Sequence, residues 1–419
     1  MSAPAIPAHL AEAKPRRVSL RALEWTNFFL ADVQAGLGPF VAAYLAALGW
    51  QAGAVGRALT FGGVMTVVLQ TPAGWVVDRA PHKRLILVAG TVVLALGAVL
   101  LATDGAASKI YAAQGLIGIA GPFLGPTIAA ITMGVAGPKL FDCQFGRNQA
   151  FNAAGNLFAA AVIALVSQQL GNRAIFVCAA ALTLPTIAAV LLIRKDDIDL
   201  DLARGASSQK DRPASADISI FSLARDRVLL AFLACALLFH LANAAMLPQL
   251  GELLARGSAR AAAPFMSACV AITQLVLLLT AAYVGRLANQ RGRKWLLLFG
   301  YAALPVRAVL YTVFHAVAAL LAVQILDGIA NSIFGVVSIL VIADRTRGSG
   351  RFNLAQGALA TAVGLGAAFS NTLGGILMER SGYRVSFLAL GAVAALAFLL
   401  LLFLVPETGQ PTHASIQDA

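Results

Sequence analysis

The residues of this sequence whose chemistry needs explaining are the ionisable and amide side chains inside its long apolar runs. Asp32 and Gln34 stand in one run, Gln114 in another, His240 and Asn243 in a third, Arg307 in a fourth and Asp327 in a fifth. A charge near the centre of an apolar helix is costly unless it is paired or faces a cavity, so such groups are default candidates for a solute pathway or a proton relay. Two of these runs are also interrupted: Gly36, Gly38 and Pro39 follow Asp32, and Pro248 follows His240 and Asn243. Proline removes a backbone donor, and breaks at corresponding positions of two halves point to a midplane binding site. Asp32 is the expected proton carrier, because desolvation favours the protonated form of a carboxylic acid. Arg307 and Asp327, opposite in sign and similar in depth on consecutive spans, read equally as a solute site or a buried ion pair. Gln149, Asn152 and Asn156, with Gln356, Ser370 and Asn371, read first as hydrogen bonds between helices.

The elements that position these groups must be membrane helices. Of 419 residues 59% are apolar and 12% charged, about half the charged share of a soluble protein, and the mean hydropathy is +0.80. Twelve runs approach the roughly 20 residues that cross a bilayer core: 22–48, 54–77, 85–103, 109–136, 148–170, 173–193, 228–254, 262–286, 295–315, 317–342, 353–379 and 384–405. With the N-terminus cytoplasmic, 23 of the 31 Lys and Arg residues fall in inner segments and 7 in outer loops, with Arg307 alone inside a span. That bias is the positive-inside rule, and it places both termini in the cytoplasm. The net charge of +12 is therefore a topology signal directed at anionic headgroups, and nucleic-acid binding is not expected. Residues 1–21 lack the apolar core of a cleavable signal peptide.

The polar stretch between Arg194 and Arg227 divides the spans six and six. The expected organisation is an N-terminal tail (1–21), a six-helix bundle (22–194), a cytoplasmic central loop (195–227), a second six-helix bundle (228–405) and a C-terminal tail (406–419). Both halves then enter from the same side, so a duplication should repeat motifs at a constant offset. Gly74 recurs as Gly285 at 211, Gln114 with Gly118 as Gln324 with Gly328 at 210, Pro39 as Pro248 at 209, and Gly146-Arg147 as Gly350-Arg351 at 204.

On these features the sequence resembles the major facilitator superfamily of secondary transporters along essentially its whole length. The family's loop signature G-x-x-x-D-(R/K)-x-G-R-(R/K) is matched after span two by Gly74, Asp78, Arg79 and Lys83, with Arg84 following, while Pro81 and His82 replace the family's Gly and Arg. After span eight Gly285, Gly292, Arg293 and Lys294 match, Arg286 follows Gly285, and Asn289 replaces the acid. The resemblance implies an all-α integral membrane protein of two pseudo-symmetric bundles, with spans one, four, seven and ten lining a central cavity. It also implies that Asp78 meets the cytoplasmic start of span eleven, attracted by the helix dipole and by Arg351 or Arg347, in a latch that favours the outward-open state. Asn289 makes the equivalent latch of the other half weaker.

The expected function is movement of a small organic solute by alternating access, coupled to protons, by a monomer in the inner membrane of a bacterium. A proton-driven drug or metabolite exporter is the alternative. Against it, Tyr111 stands where such exporters carry Arg, and span five has no proline. Pro406-Glu407-Thr408 matches the ending of many sugar transporters, but the matching signature after span six is missing. A passive channel or a non-transporting sensor is the reading from another class. No nucleotide-binding loop is present, and Cys143, Cys178, Cys235, Cys269 and the five histidines show no metal-ligand or catalytic spacing, so neither a cofactor, a metal nor enzyme chemistry is expected.

Overall fold

The computed structural model describes residues 13–409 apart from 38–40, 42, 43, 46, 47, 49, 51, 104, 171, 207–222, 224 and 258. Among these, all regular structure is helical, the arrangement that lets a chain in hydrocarbon satisfy its own backbone. Nine of the helices are long and apolar enough to cross a membrane by length and composition. Large apolar side chains lie on their outsides, with Phe403 76% and Leu279 70% exposed, as suits surfaces that face lipid tails.

The chain forms two compact units, residues 1–216 with 347–354, and 217–346 with 355–419. The first unit holds α1 (Ala13–Leu37), α2 (Ala52–Arg79), α3 (Lys83–Leu101), α4 (Ala107–Leu170), α5 (Asn172–Leu192), a 3-10 turn at Lys195–Asp197 and the short α6 (Leu200–Ala203). Helices α1, α2, α3 and α5 all pack on α4, around a core that includes Leu23, Leu87, Leu94 and Phe176. Helix α4 covers the two expected spans 109–136 and 148–170. Its backbone leaves helical geometry at Gly137 (φ 69°, ψ 168°), and Pro138 follows, a residue preset for the first position of a new helix. The reversal needs only that one glycine, so the loop expected there is absent.

The second unit holds α7 (Arg227–Asn243), α8 (Met246–Gly257), α9 (Ala259–Arg291), α10 (Lys294–Val313), α11 (Val317–Thr346) and most of α12 (Phe352–Leu404), which turns at Gly382 (φ 81°, ψ 171°). Asp226 caps α7 by accepting from the N–H groups of Val228 and Leu229, and it also takes the Arg345 guanidinium at 2.7 Å. Burial pushes its carboxyl up, but these donors outweigh burial and hold it below its ordinary value.

The duplication is written in how the helices touch inside each unit. A Cβ on Gly155 would strike the Phe28 carbonyl, and one on Gly366 would strike the Leu237 carbonyl, at sequence offsets of 211 and 209. Gly118 would meet the Gly62 carbonyl oxygen at 2.7 Å, and Gly328 would meet Val276 at 2.6 Å and the Thr273 carbonyl oxygen at 3.2 Å, again about one repeat apart. Gly90 against Leu124 and Gly300 against Ile333 form a third pair. Without a hydrophobic drive between helices in lipid, close backbone approach at small residues supplies the packing.

Gly155→Ala should therefore destabilise the protein by about 1–3 kcal/mol, read as a lower melting temperature in detergent. At Gly63, where a methyl group meets nothing within 4 Å, Ala should leave stability unchanged or slightly raised. Equal melting temperatures for the two variants would contradict this account of the crossings.

Candidate functional site

Polar chemistry in the second unit gathers where α7 stops. Pro248 cannot donate to the carbonyl one turn before it, and the helix is broken at Ala244 and Ala245, just ahead of the proline. The Ala245 N–H is taken up by the Ser370 hydroxyl at 2.9 Å. At the end of α7, Asn243 Oδ1 accepts from Arg307 Nη1 at 2.5 Å, and the same Nη1 reaches Asp327 Oδ1 at 2.5 Å. Arg307 Nε donates to the Tyr311 hydroxyl at 2.9 Å, which also accepts from Gln324 Nε2 at 2.7 Å. Asp327 accepts further from the Thr273 hydroxyl (3.1 Å) and from Asn331 Nδ2 (2.9 Å). With side-chain exposures of 1% and 8%, Arg307 and Asp327 form a buried ion pair whose remaining valences are met from α7, α9, α10 and α11.

His240 lies one turn before Asn243, its ring against Phe239 and Phe334 at centroid distances of 5.3 and 4.8 Å. Its Nε2 is buried with no hydrogen-bond partner among the described residues, and so is Gln324 Oε1. A buried polar atom left unpaired is unfavourable, so these atoms are places where a bound molecule would gain a contact.

In the first unit Gln114 sits on α4 beside Gly62 of α2, 6% exposed, and its Nε2 likewise has no partner among the described residues. Asp32, Gln34 and Gly36 lie in α1, but the two polar side chains fall outside the described residues, as do Gly38 and Pro39 entirely. Pro248 is exposed on α8. Of the interhelical candidates, Asn152 and Asn156 bond each other at 3.2 Å within α4. Buried acids were missed from the sequence, Glu24 and Asp142 among them. Glu24, 4% exposed, accepts from Gln144 Nε2 (3.1 Å) and pairs with Arg147 (2.9 Å), and a chain of amides runs on through Asn148 to Thr132. Its place at the basic end of the first run hid it, although an acid there against the later Gly146-Arg147 was the signal available.

The signature segments form two different devices. In the first, Asp78 at the end of α2 accepts from the N–H groups of Asn353 and Leu354 (3.0 and 2.8 Å) and from Asn353 Nδ2 (2.7 Å). The carboxylate thus takes the open donors at the start of α12, as expected from the helix terminus. The expected partners Arg347 and Arg351 are replaced by Asn353 and Leu354, because a terminus that donates two backbone N–H groups and an amide already fills the carboxylate. Gly74 makes room, since a Cβ there would collide with the Asn353 carbonyl. Lys83 is buried and donates to the carbonyls of Val77 (2.7 Å) and Ala80 (3.3 Å), Arg79 lies over the Trp75 ring at 3.9 Å, and Arg84 donates to the Leu191 carbonyl at 3.0 Å.

In the second, Gly285 and Arg286 are not in a loop but inside α9, and the turn is confined to Gly292 (φ 91°) and Arg293. Arg293 donates to the Ala288 carbonyl at 2.6 Å, one repeat on from the Val77 carbonyl that Lys83 caps, and pairs with Asp344 at 3.0 Å. Glu407 accepts from the backbone N–H groups of Arg293 (2.7 Å) and Lys294 (3.0 Å), while Lys294 Nζ reaches the Leu402 carbonyl at 2.7 Å. The Pro-Glu-Thr ending is thus a cap for α10.

Comparison with known proteins gives the family. The family model described as Major Facilitator Superfamily matches residues 25–281 and 244–418. Uncharacterized MFS-type transporters from the H37Rv and CDC 1551 strains of Mycobacterium tuberculosis are 41% identical over 397 residues, covering 94% of this chain and 95% of theirs. Among solved structures, the proton:xylose symporter XylE superposes with a TM-score of 0.74 at 14% identity, over 95% of this chain and 97% of its own. The human organic anion transporter MFSD10 does so with a TM-score of 0.70 at 14% identity, over 92% and 99%. The chain is therefore an integral multi-pass membrane protein and belongs to the Major Facilitator Superfamily of transporters.

Proposed function

We propose that this transporter is a secondary active carrier that moves a small amphipathic organic solute by alternating access, with proton coupling through Asp32. The observation that carries the reading is the broken helix at Ala244 and Ala245, with Asn243 drawn into the Arg307–Asp327 network inside an apolar span. Helix breaks of this kind supply backbone and side-chain polar groups at mid-membrane, where carriers of this architecture hold their solutes. His240 Nε2 and Gln114 Nε2 offer unpaired polar contacts, and Phe239, Phe334 and Tyr311 offer aromatic walls beside the second-unit groups. Asp327 is already engaged by Arg307, Thr273 and Asn331, which leaves the proton role to Asp32. The twelve crossings, cytoplasmic termini, a bacterial inner membrane and monomeric action belong to the same proposal.

Counterflow in proteoliposomes loaded with candidate organic acids, sugars, amino acids, siderophores and cationic drugs tests it. Exchange of labelled solute without any gradient is expected for at least one class, with loss of proton-driven accumulation but retained exchange in Asp32→Asn. Absence of exchange for every class would favour a sensor instead.

The Asp78 contact is the latch of this cycle. Asp78→Asn removes charge from three hydrogen bonds worth about 1.5–3 kcal/mol each with a charged partner. Cysteines introduced at the cytoplasmic ends of the spans should then gain reactivity by about tenfold. An unchanged labelling pattern would remove the latch from the mechanism.

Arg307→Met and Asp327→Leu should each destabilise the protein by about 3–5 kcal/mol, because each strands a buried charge, and the double variant should recover much of that loss. Recovery of the melting temperature together with counterflow assigns the pair to structure. Recovery without counterflow assigns it to the solute.

A further inference from the structure

The first unit carries a cleft of about 520 Å³ where the loop after α2, the start of α3 and the end of α5 meet the 3-10 turn. One side is polar, with His82, Arg84, Lys195 and Asp196; the other is apolar and includes Leu85 and Leu191. The two leucines are 62% and 58% exposed, on helices whose outer faces meet lipid tails. Arg84 is pinned across the cleft by its bond to the Leu191 carbonyl, yet its Nε is buried with no partner among the described residues. Lys195 is exposed at the mouth. Lys83, although it lines the cleft, turns its ammonium away to the Val77 carbonyl.

We propose that this cleft binds an anionic phospholipid, its phosphate held by Arg84 and Lys195 and an acyl chain laid along Leu85 and Leu191. Three features fit that ligand class together. The polar groups lie at helix ends, at the level where headgroups lie, on the side marked as cytoplasmic by the basic loops. Even with Asp196 at the rim, the two available cations leave the mouth positive, and basic pockets between membrane helices attract anionic headgroups. The apolar wall continues from the charges along the helix surface, which suits an acyl chain and gives a free phosphate ion nothing to contact. The site is far in sequence and in kind from the Arg307–Asp327 network, so it does not depend on the solute reading.

Native mass spectrometry of the full chain in a neutral detergent, titrated with phosphatidylglycerol and with phosphatidylcholine of the same acyl chains, tests the site. Wild type should bind phosphatidylglycerol the more tightly. Lys195→Gln should weaken that binding about fivefold, and Arg84→Gln with Lys195→Gln about twentyfold, with phosphatidylcholine binding unchanged. Lys195→Arg should restore it. Among the described residues the Lys195 side chain makes no hydrogen bond or ion pair that its loss would break, so the single variant keeps the test readable if the double variant is unstable. Equal binding of the two lipids by wild type would overturn the proposal, as would an equal loss in Lys139→Gln, where an exposed cation outside the cleft is removed. Displacement of phosphatidylglycerol by excess inorganic phosphate would also overturn it, by making the site one for a soluble anion.

Discussion

In lipid, two helices gain little by hiding apolar side chains from each other, since the solvent is as apolar as they are. What holds this fold is the approach of backbone to backbone at glycine. Gly155 lies against the Phe28 carbonyl and Gly366 against the Leu237 carbonyl. Each crossing fixes the rotation of one helix on another, and rotation decides which side chains meet. Because Gly155 settles onto Phe28, Glu24 one turn earlier on α1 comes level with Gln144 and Arg147 on α4. Because Gly366 settles onto Leu237, the Ser370 hydroxyl one turn on reaches the freed Ala245 N–H. The polar networks are downstream of the crossings.

The charges obey the same constraint from the other direction. An acid inside such a structure needs donors within reach, and the buried acids whose contacts are described have them. Asp327 has Arg307, Thr273 and Asn331; Asp78 has the first N–H groups of α12; Asp344 has Arg293. Each set ties together segments distant in sequence, so each acid is also a fastening between helices. A solute or a proton that draws one of them away would alter packing as well as charge, and that is the physical route by which binding could bias the conformation of a unit.

What could be read from the sequence follows from which interactions are local or repeated. Glycine crossings must occur in both halves, so the offset of 210 that relates Gly118 to Gly328 reappears in the structure as matched contacts. The break beside Pro248 follows from one residue's missing donor. Asp327 with Arg307 was readable as a pair because both are out of place in apolar runs. Tyr311, Thr273 and Asn331 were not readable as its companions, because a hydroxyl or amide in a membrane helix is common and only helix rotation selects the few that meet. Asn353 was hidden for the same reason: sequence marked the neighbouring arginines by charge, whereas the Asp78 carboxylate responds to the geometry of a helix start. At residue 32 the side chain is outside what the structure describes, and its role rests on sequence.

The two halves keep their packing and change their chemistry. Gly90 and Gly300, Gly118 and Gly328, and Gly155 and Gly366 are retained in pairs, and so is the basic side chain that caps the Val77 or Ala288 carbonyl. The acid is not retained: Asp78 has Asn289 as its counterpart, and the second turn is held instead by Glu407 from the C-terminal end and by Asp344. Backbone spacing restricts which residues can stand at a crossing, whereas a charge can be supplied from any segment that reaches the same place. Duplication therefore leaves scaffold positions alike and lets polar positions diverge. In the second half Glu407 and Asp344 bind groups of that half's own turn, while in the first Asp78 binds the start of α12, a helix whose remaining length belongs to the other unit.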